Sequence, residues 1–267
     1  MMLVISKFNW LLILTFTLFQ CKNDEPIDIN HHKQNSSIEK LMADTTHTVA
    51  YLMGHFDPAS HALFSPIEIK YADREGMYMR TEAYKAFQNM WEAASNEGII
   101  LQIRSASRNF NYQKGLWENK WNGETILSDG VDASEIKDEK ERALKILLYS
   151  SMPGTSRHHW GTDIDLNSFS NKWFETGDGL DLYDWLISNA HSFGFCQVYT
   201  AKGDERPNGY EEEKWHWSFS PISKPLTQYA KGALRNKMIE GFEGANTATM
   251  IDVVNNYVLG IHPSCLD

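Results

Sequence analysis

The 267-residue sequence is poor in cysteine, carries no excess of positive charge and holds no apolar run long enough to cross a bilayer. Its three cysteines, Cys21, Cys196 and Cys265, lack the spacing of a thiolate metal site. The formal charge of -10 excludes the basic face that a nucleic-acid partner would require. No internal repeat or low-complexity block stands out. What is present is ordinary for a globular protein with a core of its own: 42% hydrophobic, 12% aromatic and 22% charged residues. The length suits one large domain or two small ones.

The N-terminus reads as an export signal. Lys7 provides a short basic flank, and residues 10–19 form an almost unbroken apolar run. That run is too short for a membrane span and right for a signal-peptide core, so residues 1–20 are assigned to a signal peptide. Cys21 follows directly. A cysteine there resembles the bacterial lipoprotein signal, in which it becomes the acylated N-terminus, although Gln20 is larger than the residue usual before it. Residues 21–48 are expected to be a lipidated cysteine and a polar tether. They would leave the protein exported, in the periplasm or cell envelope of a bacterium, bound to membrane through Cys21. The alternative is a simple signal peptide with an incidental cysteine. An exported compartment permits a disulfide between Cys196 and Cys265; a buried free Cys196 is the alternative.

Residues 49–267 then form the folded domain. Residues 80–96 read as an amphipathic helix, with Ala83, Ala86, Phe87, Met90, Ala93 and Ala94 on one face and Gly98 as the terminating glycine. Residues 99–103 read as a short buried strand. Helices are expected over 111–121 and 133–149, with a loop at 122–133. Strands are expected over 156–167, 193–199 and from 213 to 219, with a helix at 180–190. Two closing helices follow, at 225–240 and 247–259. Helices first, strands in the second half and helices at the end indicate an α+β fold with a small antiparallel sheet.

The chemistry concentrates in residues 156–165, where His158, His159, Asp163 and Asp165 fall close together. A catalytic zinc site takes three N or O ligands from the protein and leaves a position open for water. One histidine and one aspartate from this stretch, with His216, would supply that set. Glu213 would remain as a free carboxylate suited to proton transfer. In a straight strand His158 and Asp165 would stand roughly 23 Å apart, so the chain must turn back between them, and Gly161 permits it. Spacing does not choose between Asp163 and Asp165. His158 and His159 point to opposite faces of an extended chain, so only one of them is expected to bind.

Three motifs in order carry a family resemblance. Ser156, His158, Gly161 and Asp165 form one, and Glu213, Trp215 and His216 another. Upstream, the run from Ser105 through Arg108 to Gln113 matches a Ser-x-x-Arg-(four residues)-Gln element. Together they resemble the D-alanyl-D-alanine carboxypeptidase family, which includes vancomycin-resistance-type peptidases and shares a core with lysostaphin-type peptidases and the hedgehog signalling domain. The resemblance spans roughly residues 50–220. Lys214 stands where the family often has proline. The stretch between Gln113 and Ser156 is long, and its 122–150 segment is expected to reshape the substrate groove. The tail after Pro225 lies outside the minimal core.

The resemblance implies a small antiparallel sheet carrying a zinc site, flanked by helices. It implies His158, Asp165 and His216 as ligands of Zn2+, Glu213 as catalytic base and Arg108 as stabiliser of the oxyanion. Ser156 and Gln113 become hydrogen-bond partners for substrate, and Tyr112 and Trp215 pack the site. His159, His191 and His262 are left structural or exposed. The implied activity is a zinc-dependent carboxypeptidase that removes the terminal D-Ala of peptidoglycan stem peptides. The alternatives are an L,D-carboxypeptidase or an endopeptidase on the same polymer, or an inactive wall-binding lipoprotein.

Overall fold

The computed structural model describes residues 46–266. The signal peptide, Cys21 and nearly all of the tether lie outside the described residues. Those described belong to one compact unit, Met42–Asp267. No helix among them is long and apolar enough to cross a membrane.

A four-stranded antiparallel sheet organises the fold. Its strands are β3 (Ile103–Ser105), β4 (Asp163–Leu166), β5 (Phe195–Gln197) and β6 (His216–Phe219), in the order β3-β4-β6-β5. A separate antiparallel pair, β1 (Phe64–Pro66) and β2 (Tyr78–Arg80), leads into the long helix α2 (Thr81–Asn96); the short α1 (Val49–Leu52) precedes both. The remaining helices are α3 (Phe110–Trp121), α4 (Glu139–Ile146), α5 (Gly177–Asn189), α6 (Ser220–Ala233) and α7 (Thr247–Ile251). The architecture is therefore α+β with a small antiparallel sheet among helices.

Side chains alternate across a strand, and here the alternation separates core from chemistry. Ile164, Leu166 and Trp217 join one apolar cluster with Ala83, Phe87 and Met90 of α2 and Leu182 and Leu186 of α5. Asp163, Asp165, His216 and Ser218 take the intervening positions. A second cluster, built on Trp117, Trp121, Ile146, Leu226 and Val254, packs α3, α4, α6 and the C-terminal segment together.

Several elements differ from the sequence expectations. The strand expected at 99–103 is displaced to Ile103–Ser105. The Asn167 side chain bonds both the Ile100 carbonyl and the Gln102 amide, so these groups are satisfied without a ladder, and Ile100 is 75% exposed. Residues 157–160 form a 3-10 turn instead of a strand. The helix expected at 133–149 is shorter, because Asp138 accepts from the Glu141 amide and caps a new start. Helix α6 begins at Ser220, five residues early, with Pro221 in its first turn. The last helix breaks at Asp252, whose φ of 53° is left-handed, and a π turn over Val254–Val258 follows. By contrast α2 matches its periodicity, and Gly98 ends it at φ +81°.

Cys196 and Cys265 form a disulfide across 69 residues, tying the C-terminal segment to β5. Closing a loop of that length removes unfolded-state entropy worth roughly 4 kcal/mol. Cys265→Ser should lower unfolding free energy by about 2–5 kcal/mol in denaturant titrations, and an unchanged midpoint would contradict this role.

Candidate metal centre

Gly161 makes the site possible. Its φ of 73° is left-handed, and a Cβ there would run into the Phe64 ring, so only glycine fits. The turn it permits carries the chain from His158 in the 3-10 turn back along β4 to Asp165. Pairing of β4 with β6 then sets Asp165 directly opposite His216. Ligand atoms of His158, Asp165 and His216 all lie within 4.8 Å of one another, and all three residues are buried. Among the described residues this is the one group of three such side chains able to hold a metal ion.

Hydrogen bonds fix which atoms face inward. His158 Nδ1 lies 2.8 Å from the Ala106 carbonyl and donates to it, leaving Nε2 3.3 Å from Asp165 Oδ2. His216 Nε2 lies 2.9 Å from Asp163 Oδ2 and donates there, leaving Nδ1 3.2 Å from Asp165 Oδ1. Asp165 Oδ1 has no hydrogen-bond donor although it is buried. A buried carboxylate whose two oxygens each face one imidazole nitrogen, one of those oxygens lacking a donor, is the donor set of a divalent-metal site of the N,N,O type. Orienting the far nitrogen of each ligand histidine is a general feature of such sites.

Asp163 stands outside this candidate group and supports one of its members. It accepts from His216, from Arg157 Nε at 3.1 Å, and from the hydroxyls of Thr162 and Ser218 at 2.6 Å each. Burial alone would raise its pKa; Arg157 and His216 outweigh that and hold it well below the usual range. Asp165 is likewise held down, against burial, by His158 and His216. Burial opposes ionisation of His216, yet Asp163, Asp165 and Glu213 hold its pKa well above the ordinary value. His158 is lowered, by burial first and by Arg108 second.

Glu213 stands beside the triad, 94% buried, with Oε2 3.2 Å from His216 Nδ1. Burial raises its pKa, with His216 working against the rise. Arg108 Nη1 lies 3.7 Å from Asp165 and donates to Ser105 Oγ at 2.8 Å. Ser156 Oγ and Gln113 Oε1 are buried without partners. All seven expected site residues line one cavity of about 570 Å³. Its walls include Ser128, Tyr149 and Ser150, so the 122–150 segment forms part of this cavity.

Two expectations need correction or extension. Tyr112 does not pack the site: it is 54% exposed and absent from the cavity wall, while Trp215 lines it. His159 is structural. Its Nε2 accepts from the Gly154 amide at 3.1 Å and Nδ1 donates to the Arg108 carbonyl at 2.6 Å. Burial pushes its pKa down to about 3, so it stays neutral and fixes the loop bearing Arg108. The sequence reading missed Arg157 and the Asp163 network. Both adjoin the motif residues, but a partner seventy positions away, such as Thr227 on Arg157 Nη1, leaves no local signal.

Comparison with known proteins decides the family. The family described as VanY: D-alanyl-D-alanine carboxypeptidase matches residues 76–222, more than half of the chain. The chain belongs to this family. The chain is 29% identical over 172 residues to YodJ of Bacillus subtilis (strain 168), covering 62% of this chain and 55% of that protein. It therefore spans little more than half the length of that relative. It is 23% identical over 247 residues to a D-alanyl-D-alanine carboxypeptidase of Enterococcus faecalis (strain ATCC 700802 / V583), covering 84% of this chain and 87% of that one. A solved structure of a vancomycin-resistance D,D-pentapeptidase VanY variant, in complex with Zn(II), aligns at 23% identity and a TM-score of 0.43. It covers 63% of this chain and 90% of the other. The VanY-family match ends at residue 222, so most of α6 and everything beyond it lies outside the match.

The Arg157–Asp163–His216 chain predicts a measurable cost. Asp163→Asn strips the buried Arg157 of its counter-charge and should destabilise the fold by about 3–5 kcal/mol. It also frees the His216 ring, which should weaken metal binding by about 10- to 100-fold. Thermal unfolding and metal titration read the two effects separately. Wild-type behaviour in both would remove the supporting role given to Asp163.

Proposed function

We propose that the protein is a zinc-dependent carboxypeptidase hydrolysing the terminal D-Ala bond of peptidoglycan stem peptides. The observation that carries this reading is the convergence of His158, Asp165 and His216, with Glu213 beside them and outside the ligand set. Membership of the VanY family supports the substrate class. The soft-thiolate alternatives are absent from the site, and two imidazoles with one carboxylate suit zinc.

Zinc held by His158, Asp165 and His216 would supply Lewis-acid polarisation of the scissile carbonyl and a water with a pKa of about 7. The chain's own groups do the rest. Glu213, raised by burial, takes the proton of the attacking water and returns it to the leaving amine. Arg108 places a fixed positive charge where the tetrahedral oxyanion develops. The Nε2 of Gln113 is committed to the Ser151 carbonyl at 2.8 Å, so its free Oε1 is an acceptor for a substrate N–H. Ser156 Oγ can donate or accept. The apolar edges of Tyr149, Phe169 and Trp215 offer a wall for the peptide. The disulfide fits an oxidising, exported location, as does the N-terminal signal.

Two substitutions separate the roles. Glu213→Gln should keep zinc and fold while turnover falls by about two to four orders of magnitude. Arg108→Ala should cost about two to three orders. The pH profiles should differ. Glu213 acts as its carboxylate, so activity rises with pH through its pKa, and that acid limb should vanish or move in Glu213→Gln. Arginine stays charged throughout, so Arg108→Ala should lower the whole profile without moving the limb. Full activity in Glu213→Gln, or loss of zinc with activity, would defeat the assignment.

A further inference from the structure

Four cationic side chains line the cavity: Arg108, Arg157, Lys120 and Lys172. Arg157 is committed to Asp163, Thr227 and Ser218. Arg108 faces Asp165 beside the metal ligands. Lys172 is exposed. Lys120 has no comparable task. It projects from the last turn of α3, and its ammonium donates to Ser150 Oγ at 3.2 Å. It does not serve the carbonyls of its own helix end. Among the described residues no carboxylate pairs with it.

A half-buried cation without a counter-charge is costly. Burial first, and the charge of Arg108 second, hold the Lys120 pKa down to about 8. Such a group is relieved by an anion arriving from outside. Its position says which anion. Lys120 and Gln113 lie seven residues apart, so they share one face of α3 about 10 Å apart along the axis. Helical side chains lean toward the N-terminus, which brings the ammonium back toward Gln113. Both side chains are fastened to neighbouring residues, Ser150 and Ser151. The free atom of Gln113 is an acceptor and cannot receive a carboxylate. A substrate carboxylate entering this cavity therefore finds its counter-charge at Lys120.

We propose that Lys120 receives the free α-carboxylate of the substrate's C-terminal residue and sets the preference for cleavage at a chain end over cleavage within a peptide. This rests on the carboxypeptidase reading and assigns it a specificity-determining residue. Ser150 orients the ammonium, and Ser156 is placed to add a neutral hydrogen bond.

The experiment compares one peptide ending in D-Ala-D-Ala as the free acid with the same peptide as its C-terminal carboxamide. The full zinc-loaded chain is used. Wild type should favour the free acid. Lys120→Met keeps the aliphatic stem and drops the charge; it should lose about 10- to 100-fold in kcat/KM on the free acid, mostly through KM, so that the preference collapses toward one. Lys120→Arg should retain most of the preference. A Lys120→Met enzyme that keeps the wild-type ratio, whether by losing nothing or by losing both activities alike, overturns the proposal. A wild type that cleaves neither peptide overturns the carboxypeptidase reading beneath it. Wild type active on both with no preference overturns the Lys120 assignment alone.

Discussion

Everything at the site depends on the register between β4 and β6. Asp165 pairs with His216, Ile164 with Trp217 and Asp163 with Ser218. That pairing places two carboxylates, an imidazole and a hydroxyl on one face and the apolar residues on the other. A slip of one residue would turn Asp163 and Asp165 into the apolar cluster and bring Ile164 into the candidate metal centre. The register is secured from the apolar side, where Ile164, Leu166 and Trp217 are each at most 2% exposed against α2 and α5. Hydrophobic packing thus fixes the position of the polar groups.

The polar side is expensive to bury. Arg157, Asp163, His158, His159 and His216 are each at most 3% exposed. Such groups are tolerated when each hydrogen-bonding site is matched, and here most are. Arg157 spends its donors on Asp163, Thr227 and Ser218, and its guanidinium stacks 4.5 Å from the Trp160 ring. Asp165 Oδ1, Ser156 Oγ, Gln113 Oε1 and Arg108 Nε are left unmatched and belong to residues that line the cavity, while others, such as Arg80 Nε and Trp185 Nε1, lie away from it. Unmatched polar atoms gathered at one concave place are what a metal-and-peptide site requires, because their partners arrive with the ligand.

Much of this was legible in the sequence. The α2 periodicity with Gly98 and the turn at Gly161 placed the helix and the reversal, and the three motifs picked out seven residues that the fold gathers around one cavity. The choice of Asp165 over Asp163 was not legible from spacing, since both lie on one strand face; family likeness supplied it, and the hydrogen bonds explain it. Strand edges were misjudged where a side chain replaced the ladder, as Asn167 does for residues 100–102. Helix edges were misjudged where a single residue, Asp138 or Asp252, satisfied or reversed the backbone. Arg157, Lys120 and the disulfide depend on contacts distant in sequence, which local pattern does not encode.

The central claim is that three buried side chains hold a zinc ion on which removal of one terminal D-Ala depends. Mass spectrometry of a stem pentapeptide incubated with zinc-loaded, chelator-treated and zinc-restored protein tests it most directly. The account predicts loss of a single terminal D-Ala with the loaded protein, none after chelation, and recovery when zinc is returned. Equal release by the metal-free protein, or an intact pentapeptide with the loaded one, would contradict it.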